Sequence, residues 1–367
     1  LAYSFRRSIE IKESFYLIIQ KRNEITMERV VYVLGAGFSA PLGLPVMSNF
    51  ILKAKDIYFS NQEDYGHFKE VFDLLNKMSV IKNFFKTDLY NIEEILSILE
   101  MNEYINESRE FERFKKFIID VINYSTPEYE IMNNIPGNWH QFILGNTDLK
   151  RKYGTFISTL ANLKVEQIES GYNEPRQFSW EKASTDIEYS IVSFNYDLII
   201  ENYFNYINKH FILSSELKEP LKISKLHGCV QKGNIVPPTW NKSSNQELIK
   251  EWQEAWSLLK NANQIRILGY SLPITDSYIK YFLKSAILES VHLKKLDVIT
   301  LDNDNQETKL RYDEFIDFNY YRFRNANILD YLSELYDKQF ERGSFMVTDQ
   351  KVIFKHLEET HENFMSK

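Results

Sequence analysis

Runs of aliphatic and aromatic residues alternate with helical patterns along most of this chain. The first run, residues 30–34, has no charged position, which is typical of a parallel strand that is buried on both faces. Similar runs at 188–194, 221–226, 264–268 and 296–301 each end at a cluster of small or polar residues. Strands that alternate with helices favour an open parallel sheet, so the pattern predicts an α/β fold.

A turn of small residues follows the first predicted strand. It spans residues 35–39 and reads Gly-Ala-Gly-Phe-Ser; we call it the glycine turn. Glycines allow the backbone to turn sharply and to approach a ligand closely, and the free N–H groups at the start of a helix attract phosphate. The glycine turn therefore predicts a pyrophosphate-binding site, with a strand-to-helix connection that binds nothing as the alternative.

Helical spacing dominates the stretch between the first and second predicted strands. Ile92, Ile95 and Leu99 fall on one helical face, and similar patterns recur over residues 61–184. We therefore predict an inserted helical domain there. Residues 1–26 are either an extension upstream of Met27 or an amphipathic helix. The remaining units are a sheet domain formed by 27–60 and 185–335, and a C-terminal tail at 336–367.

Composition narrows the range of functions. The formal net charge of −7 argues against general affinity for nucleic-acid backbones or anionic membranes, so direct nucleic-acid binding is not indicated. Cys229 is the only cysteine; it excludes an internal disulfide framework, favours a reducing cytoplasm, and is expected to be a small buried side chain. No apolar run reaches the ~20 residues that a membrane span needs, and no signal peptide is evident.

Polar clusters follow the later predicted strands. Because the carboxyl ends of parallel strands share one edge of the sheet, and ligands of such sheets bind there, we expect these clusters to converge on one crevice. The clusters are Asn195-Tyr196-Asp197, His227-Gly228, Gly269-Tyr270-Ser271 and Asp302-Asn303-Asp304.

Each of these side chains also has a purely structural interpretation. Asn195, Asp197 and Ser271 are of types that cap the N-termini of helices, and His227 suits a hydrogen-bonded position at the end of a strand. Their joint occurrence behind the glycine turn favours a functional role over these alternatives.

The glycine turn, Ser-Phe-Asn-Tyr-Asp at 193–197, Leu-His-Gly at 226–228 and Gly-Tyr-Ser-Leu at 269–272 together resemble sirtuins in order and rough spacing. The resemblance is closest to the sirtuin-like domains of bacterial antiphage defence systems. It covers about 27–60 and 185–332, and it implies a Rossmann-like sheet that binds NAD.

The resemblance also implies roles for particular residues. Asn195 would be catalytic and would position the nicotinamide ribose and the attacking water, and His227 would bind the ribose hydroxyls or act as a base. Ser271 would contact phosphate, and Asp302 would bind the adenosine ribose. The full set of cofactor contacts that we expect is Gly35, Ala36, Gly37, Ser39, Asp197, Gly269, Ser271 and Asp302.

Two departures from sirtuin deacylases bear on the reaction. Deacylases carry a four-cysteine zinc module after the histidine, whereas residues 229–263 contain one cysteine and no histidine, so we expect no zinc and no other metal site. Their Asp-Phe-Arg run is replaced by Leu-Pro-Val-Met-Ser-Asn-Phe at 44–50. Both departures favour attack on NAD by water over attack by an acylated peptide.

The expected function is therefore that of an NAD glycohydrolase that releases nicotinamide and ADP-ribose, with NAD as its substrate. By resemblance it would be a cytoplasmic, NAD-depleting effector of antiphage defence that acts as a homo-oligomer. Its partner would be an ATPase of the DNA-translocase type or another sensor of the defence system. A non-catalytic module that binds NAD or ADP-ribose is the main alternative, and an NAD-dependent protein deacylase is a less favoured one.

Overall fold

A computed structural model describes most of the chain. The predicted extension at 1–26 lies outside the described residues. None of the helices in the described part is long and apolar enough to cross a membrane. The described residues are 27–130, 135, 139–168, 177–213, 221–236, 246–274, 276–341, 348 and 350–367.

The described residues form two sheets. Their strands, in chain order, are β1 (Glu28–Leu34), β2 (Leu163–Ile168), β3 (Gln177–Lys182), β4 (Ile187–Ser193), β5 (Ile212–Leu213), β6 (Lys222–Lys225), β7 (Gln264–Leu268), β8 (Lys295–Thr300), β9 (Tyr321–Asn325) and β10 (Lys351–Ile353).

Helices pack on these sheets and connect the strands. Those in the described residues are α1 (Ala36–Ser39), α2 (Phe50–Ser60), α3 (Gln62–Tyr65), α4 (Phe68–Met78), α5 (Ile92–Asn106), α6 (Glu110–Ser125), α7 (Trp139–Phe142), α8 (Asp148–Leu160), α9 (Ile199–His210), α10 (Gln246–Lys260), α11 (Ser277–Leu288), α12 (Glu307–Phe315), α13 (Ile328–Gln339) and α14 (Leu357–Ser366).

The larger sheet of the described residues is parallel throughout, in the order β6-β4-β1-β7-β8-β9. Numbered by position along the chain, its strands read 3-2-1-4-5-6, which is the order of Rossmann folds. The winding direction reverses between β1 and β7, which pair from Val30↔Gln264 to Leu34↔Leu268. The prediction of an α/β fold with an open parallel, Rossmann-like sheet is confirmed.

Strand β1 is buried on both faces because it lies at the centre of this sheet. Val31 and Val33 belong to a hydrophobic cluster with residues of α10 and α11. Val30, Tyr32 and Leu34 belong to a second cluster, which includes residues of α8 and α13. Burial of each such side chain is worth about 2 kcal/mol relative to exposure. An uninterrupted apolar run is therefore what this position requires.

A long crossing segment, residues 35–186, separates β1 from its neighbour β4. It carries α1 to α8, and α2, α4 and α6 pack around the phenylalanine rings of Phe50, Phe68 and Phe117. The ring centroids of Phe68 and Phe117 lie 4.7 Å apart, and those of Phe50 and Phe117 lie 6.2 Å apart. This part of the segment is helical, as its spacing predicts.

The expectation that residues 61–184 are helical is wrong at β2 and β3. These strands belong to the second sheet, whose order is β10-β2-β3-β5. In β3 the buried positions Phe178 and Trp180 alternate with more exposed ones, which is strand spacing. Each strand is six residues long, too short for its spacing to stand out among the helical patterns around it, and β2 also pairs with β10 near the end of the sequence.

The C-terminal stretch is also packed structure, where the sequence suggested a tail at 336–367. Strand β10 pairs antiparallel with β2, with Val352 opposite Val165. The ring of Phe354, just after β10, stacks on the ring of Trp180 with an interplanar angle of 7°. The chain therefore returns to the second sheet before it forms α14.

Buried charges anchor α14 to the parallel sheet. The guanidinium of Arg266, in β7, is fully buried and donates to both carboxylate oxygens of Glu358, at 2.8 and 2.5 Å. Asp297, in β8, accepts two hydrogen bonds of 2.7 Å from Arg322 and lies 2.9 Å from Nε2 of His361. A buried charge that loses its partner costs several kcal/mol, so these contacts fix the position of the helix.

The protonation state of His361 follows from its neighbours. Burial alone would raise the pKa of Asp297, but the hydrogen bonds from Arg322 and His361 lower it to about 2. Because the Asp297 carboxylate can only accept, Nε2 of His361 donates to it, and Nδ1 accepts from the Tyr331 hydroxyl at 3.1 Å. Burial, reinforced by the positive charge of Arg266, lowers the pKa of His361 to about 4. The folded protein thus holds this imidazole neutral.

We predict that His361 makes stability fall between pH 7 and pH 5. In the unfolded chain an imidazole takes up a proton near pH ~6.5, whereas in the folded chain His361 does so only near pH 4. The unfolded state therefore binds more protons in this interval, and the free energy of unfolding should decrease by about 2 kcal/mol as the pH drops. Urea unfolding at both pH values measures this decrease.

His361→Asn should remove this part of the pH dependence, and the same substitution at the exposed His292 should leave it unchanged. An equal decrease in wild type and His361→Asn would contradict the assignment.

Candidate functional site

A cavity of about 780 Å³ lies at the carboxyl ends of β1, β4, β6, β7 and β8. It is at the point where the sheet reverses its winding direction, and its volume is within the usual range for small-molecule sites. Two further walls come from the crossing segment and from the start of α13. The residues used below that line it are Ala36, Gly37, Ser39, Glu93, Phe194, Asn195, Tyr196, Asp197, His227, Gly269, Tyr270, Ser271 and Asp276.

The glycine turn packs directly against the loop that follows β7. The backbone N–H of Gly35 donates to the Leu268 carbonyl at 3.0 Å, and that of Gly37 donates to the Gly269 carbonyl at 2.8 Å. A Cβ on Gly35 would lie 2.6 Å from the Gly269 oxygen and from the Tyr270 Cα. No side chain fits at that distance, so close approach of two backbone segments requires glycine here.

A hydrogen-bonded relay links the glycine turn to the loop after β4. Nδ2 of Asn195 donates to the Gly35 carbonyl at 2.9 Å and to the Ser39 hydroxyl at 3.0 Å. The Ser39 hydroxyl in turn donates to Oδ2 of Asp197 at 2.6 Å, and Oδ1 of Asp197 accepts from the Ile199 N–H at 3.2 Å. All three side chains of the relay are buried.

This relay fixes the orientation of the Asn195 amide. The Gly35 carbonyl can only accept, so the atom beside it must be the amide nitrogen, and both of its hydrogens are used. No residue that the structure describes donates to Oδ1 of Asn195. The side chain lines the cavity, so its carbonyl oxygen is an oriented acceptor for a ligand or a water.

His227 lies at the cavity wall beside two aromatic rings and near a carboxylate. The residue is only 1% exposed, and its ring centroid lies 5.6 Å from that of Phe194 and 5.9 Å from that of Tyr196. Its Nδ1 is 4.0 Å from Oε1 of Glu93. Burial, together with the negative charges of Glu93 and Asp276, raises the pKa of Tyr196 well above its ordinary value, so this phenol stays protonated.

The structure brings most of the predicted site residues together. Residues from four separate parts of the chain line the one cavity, as the convergence of the strand ends predicted, and Gly35 lies beside them through its carbonyl. The predicted residues that line the cavity are Ala36, Gly37, Ser39, Asn195, Asp197, His227, Gly269 and Ser271.

Asn195, Asp197 and Ser271 had a purely structural alternative, which was to cap the N-terminus of a helix. The residue at the N-cap of α9 is Leu198, and it is Asp197, not Asn195, that accepts from the first turn of that helix. Ser271 does not cap α11, because that helix begins at Ser277 with Asp276 as its N-cap. The carbonyl of Ser271 instead accepts from Arg311.

Asp302 is occupied by the protein itself. Its carboxylate accepts from the backbone N–H groups of Thr308 at 2.8 Å and Lys309 at 2.9 Å, and these bonds outweigh the effect of burial and lower its pKa. It thereby caps the start of α12, and it is not among the residues that line the cavity. Its assignment to the adenosine ribose stays a prediction that this geometry does not support.

Two acidic residues of the cavity were not found from the sequence. Glu93 comes from the first turn of α5, in the crossing segment, and Asp276 precedes α11 and accepts from the Tyr270 hydroxyl at 2.5 Å. An asparagine with glutamates two and three residues later is an ordinary helix start, and the Asn91 side chain accepts from the N–H groups of Glu93 and Glu94. Nothing in that pattern indicates which glutamate faces a cavity.

No protein-family model matches this chain, and no curated protein matches its sequence. Among the residues that the structure describes, no group of three or more histidine, cysteine, aspartate or glutamate side chains is arranged to hold a metal ion. The chemistry of the cavity therefore has to be inferred from its own residues.

We predict that Gly35→Ala lowers the free energy of unfolding by about 3 kcal/mol, because the new Cβ would meet backbone atoms that cannot move aside. Gly43→Ala is the control: its Cβ would meet no atom within 4 Å, but its φ of +95° disfavours alanine by about 1 to 2 kcal/mol. Urea unfolding of both variants measures the difference. A loss in Gly35→Ala that is no larger than the loss in Gly43→Ala would contradict the predicted clash with the loop after β7.

Proposed function

We propose that this chain is a sirtuin-like NAD⁺ glycohydrolase, which uses water to break the bond between nicotinamide and its ribose. One observation carries the proposal: Asn195, His227 and the glycine turn meet at a single cavity, at the reversal point of a sheet with Rossmann strand order. Dinucleotides bind at this point in such sheets.

The chemistry of the reaction matches the groups that the cavity offers. Nicotinamide leaves NAD⁺ as a neutral molecule, so the site needs no general acid. It must orient the ribose, place a water, and tolerate positive charge that develops at C1 of the ribose. The carboxylates of Glu93, Asp197 and Asp276 line the cavity, and negative charge near C1 favours that transition state.

Asn195 is the group that would place the water. Its Oδ1 is an oriented acceptor, since the Gly35 carbonyl and the Ser39 hydroxyl occupy both amide hydrogens. A water that donates one hydrogen to this oxygen directs a lone pair away from it, toward the ribose carbon. His227 would take the proton that the water or a ribose hydroxyl loses.

The motifs that resemble sirtuin-like defence domains are also the basis for a proposed role in the cell. The hydrolase would deplete NAD as an effector of bacterial antiphage defence, and it would act as a homo-oligomer. A partner such as an ATPase of the DNA-translocase type, or another sensor of the defence system, would control it.

We predict that the purified chain, alone or with its activating partner, converts NAD⁺ to nicotinamide and ADP-ribose. Asn195→Ala and His227→Ala should each lower the rate at least about 100-fold, because each removes a group that orients or deprotonates the nucleophile. Chromatography of the products measures both. Asn305→Ala and His292→Ala are matched controls at exposed positions outside the cavity and should keep the wild-type rate.

Other outcomes would contradict the proposal. Saturable binding of NAD without release of nicotinamide, with and without the partner, would indicate a binding module. Release of nicotinamide that requires an acylated peptide would indicate a deacylase. Wild-type rates in either alanine variant would remove that residue from the mechanism.

A further inference from the structure

We propose that Glu93 is a positioning residue of this site, whose carboxylate orients the imidazole of His227 and stabilises its protonated form during cleavage of NAD⁺. The inference rests on the proposed hydrolase function and adds to it a residue from the crossing segment, outside the motifs that resemble sirtuins. Glu93 lines the same cavity as His227 and is 9% exposed.

The distance between the two groups suits an ion pair that forms during the reaction. Nδ1 of His227 and Oε1 of Glu93 are 4.0 Å apart, beyond the ~2.7 to 3.2 Å of a hydrogen bond. A shift of about 1 Å would bring them into contact. When the imidazole takes a proton it becomes positive, and a carboxylate at this distance then favours the charged form.

Two aromatic rings restrict the movement of the His227 imidazole. The rings of Phe194 and Tyr196 lie against the imidazole with interplanar angles of 37° and 40°. Both residues belong to the loop after β4, which the Asn195 relay ties to the glycine turn. The imidazole is thus confined, and the carboxylate of Glu93 faces its Nδ1 edge.

Other charged groups near the cavity are held by contacts with their neighbours. Asp197 accepts from Ser39, and Asp276 accepts from the Tyr270 hydroxyl. Lys225, two residues before His227 and at the end of β6, forms an ion pair with Glu201 at 2.8 Å and donates to the Asp197 carbonyl. Tyr196 contributes no negative charge, because its raised pKa keeps the phenol neutral.

The local backbone explains how a glutamate can be held in this position. Glu93 is in the first turn of α5, where the positive end of the helix dipole stabilises negative charge. The helix dipole would stabilise any acidic residue in this turn in the same way. Glu94 is also in it, and its Oε2 accepts from the Asp88 N–H at 3.2 Å. Glu94 does not line the cavity, so a substitution of Glu94 is the matched control for the same substitution of Glu93.

The first test compares Glu93→Gln with Glu94→Gln in nicotinamide release. Glu93→Gln should lower kcat about 10-fold with little change in KM, and should move the acidic limb of the profile of kcat/KM against pH to lower pH. The reason is that an imidazole without the nearby negative charge is protonated less readily. Glu94→Gln should leave rate and profile as in wild type. A lower rate with an unmoved acidic limb would reduce Glu93 to a structural role and overturn the proposal.

The second test does not depend on activity. NMR follows the titration of the His227 imidazole in the full chain, with its signal assigned by its loss in His227→Gln. The titration midpoint should fall by about 1 pH unit in Glu93→Gln and stay unchanged in Glu94→Gln. If Glu93→Gln fails to fold, Glu93→Asp keeps the charge one methylene further away and should lower the midpoint by a smaller amount.

The two tests separate the two proposals. An unmoved midpoint overturns the coupling of Glu93 to His227, even if the chain cleaves NAD⁺. A moved midpoint in a chain that releases no nicotinamide with or without its activating partner keeps the pair and overturns the hydrolase, and with it the role of Glu93 in catalysis.

Discussion

The contact between two backbone turns, one after β1 and one after β7, is the constraint on which the rest of the site depends. Gly35 and Gly37 donate to the carbonyls of Leu268 and Gly269, and Gly269, at φ +65°, would place a Cβ 2.3 Å from the Phe38 nitrogen. The contact joins the turns that follow β1 and β7, the two strands between which the winding direction reverses. It also presents the Gly35 carbonyl to Asn195. A side chain at any of these glycines would separate the turns and release the amide that they orient.

Polar groups in the cavity are held by one another before any ligand arrives. Asn195, Ser39 and Asp197 form a chain of hydrogen bonds, and Tyr270 donates to Asp276. In the proposed hydrolase, groups held in this way would not have to reorganise when charge develops in the transition state, which is the usual source of large rate effects. Glu93 adds a carboxylate from outside the sheet, so the sheet alone does not complete the site.

The inner strands of the parallel sheet could be predicted because β1, β4, β7 and β8 each contain a local apolar run. The predicted run at 264–268 coincides with β7, and those at 188–194 and 296–301 are displaced by one residue from β4 and β8. The short strands β2, β3 and β10 were not predicted; β2 pairs with the nearby β3 and with the distant β10, and each of the three is at most six residues long.

The sequence by itself determined the parallel sheet, the glycine turn and the meeting of the polar clusters at one edge, because these follow from local apolar runs and from the geometry that all parallel sheets share. Only the tertiary structure decided that Asp302 caps α12 and leaves the cavity, while Glu93 enters it beside His227. A carboxylate binds whichever donors or cations the fold brings nearest. Contacts between residues that are far apart in the chain leave no periodic pattern from which that choice can be read.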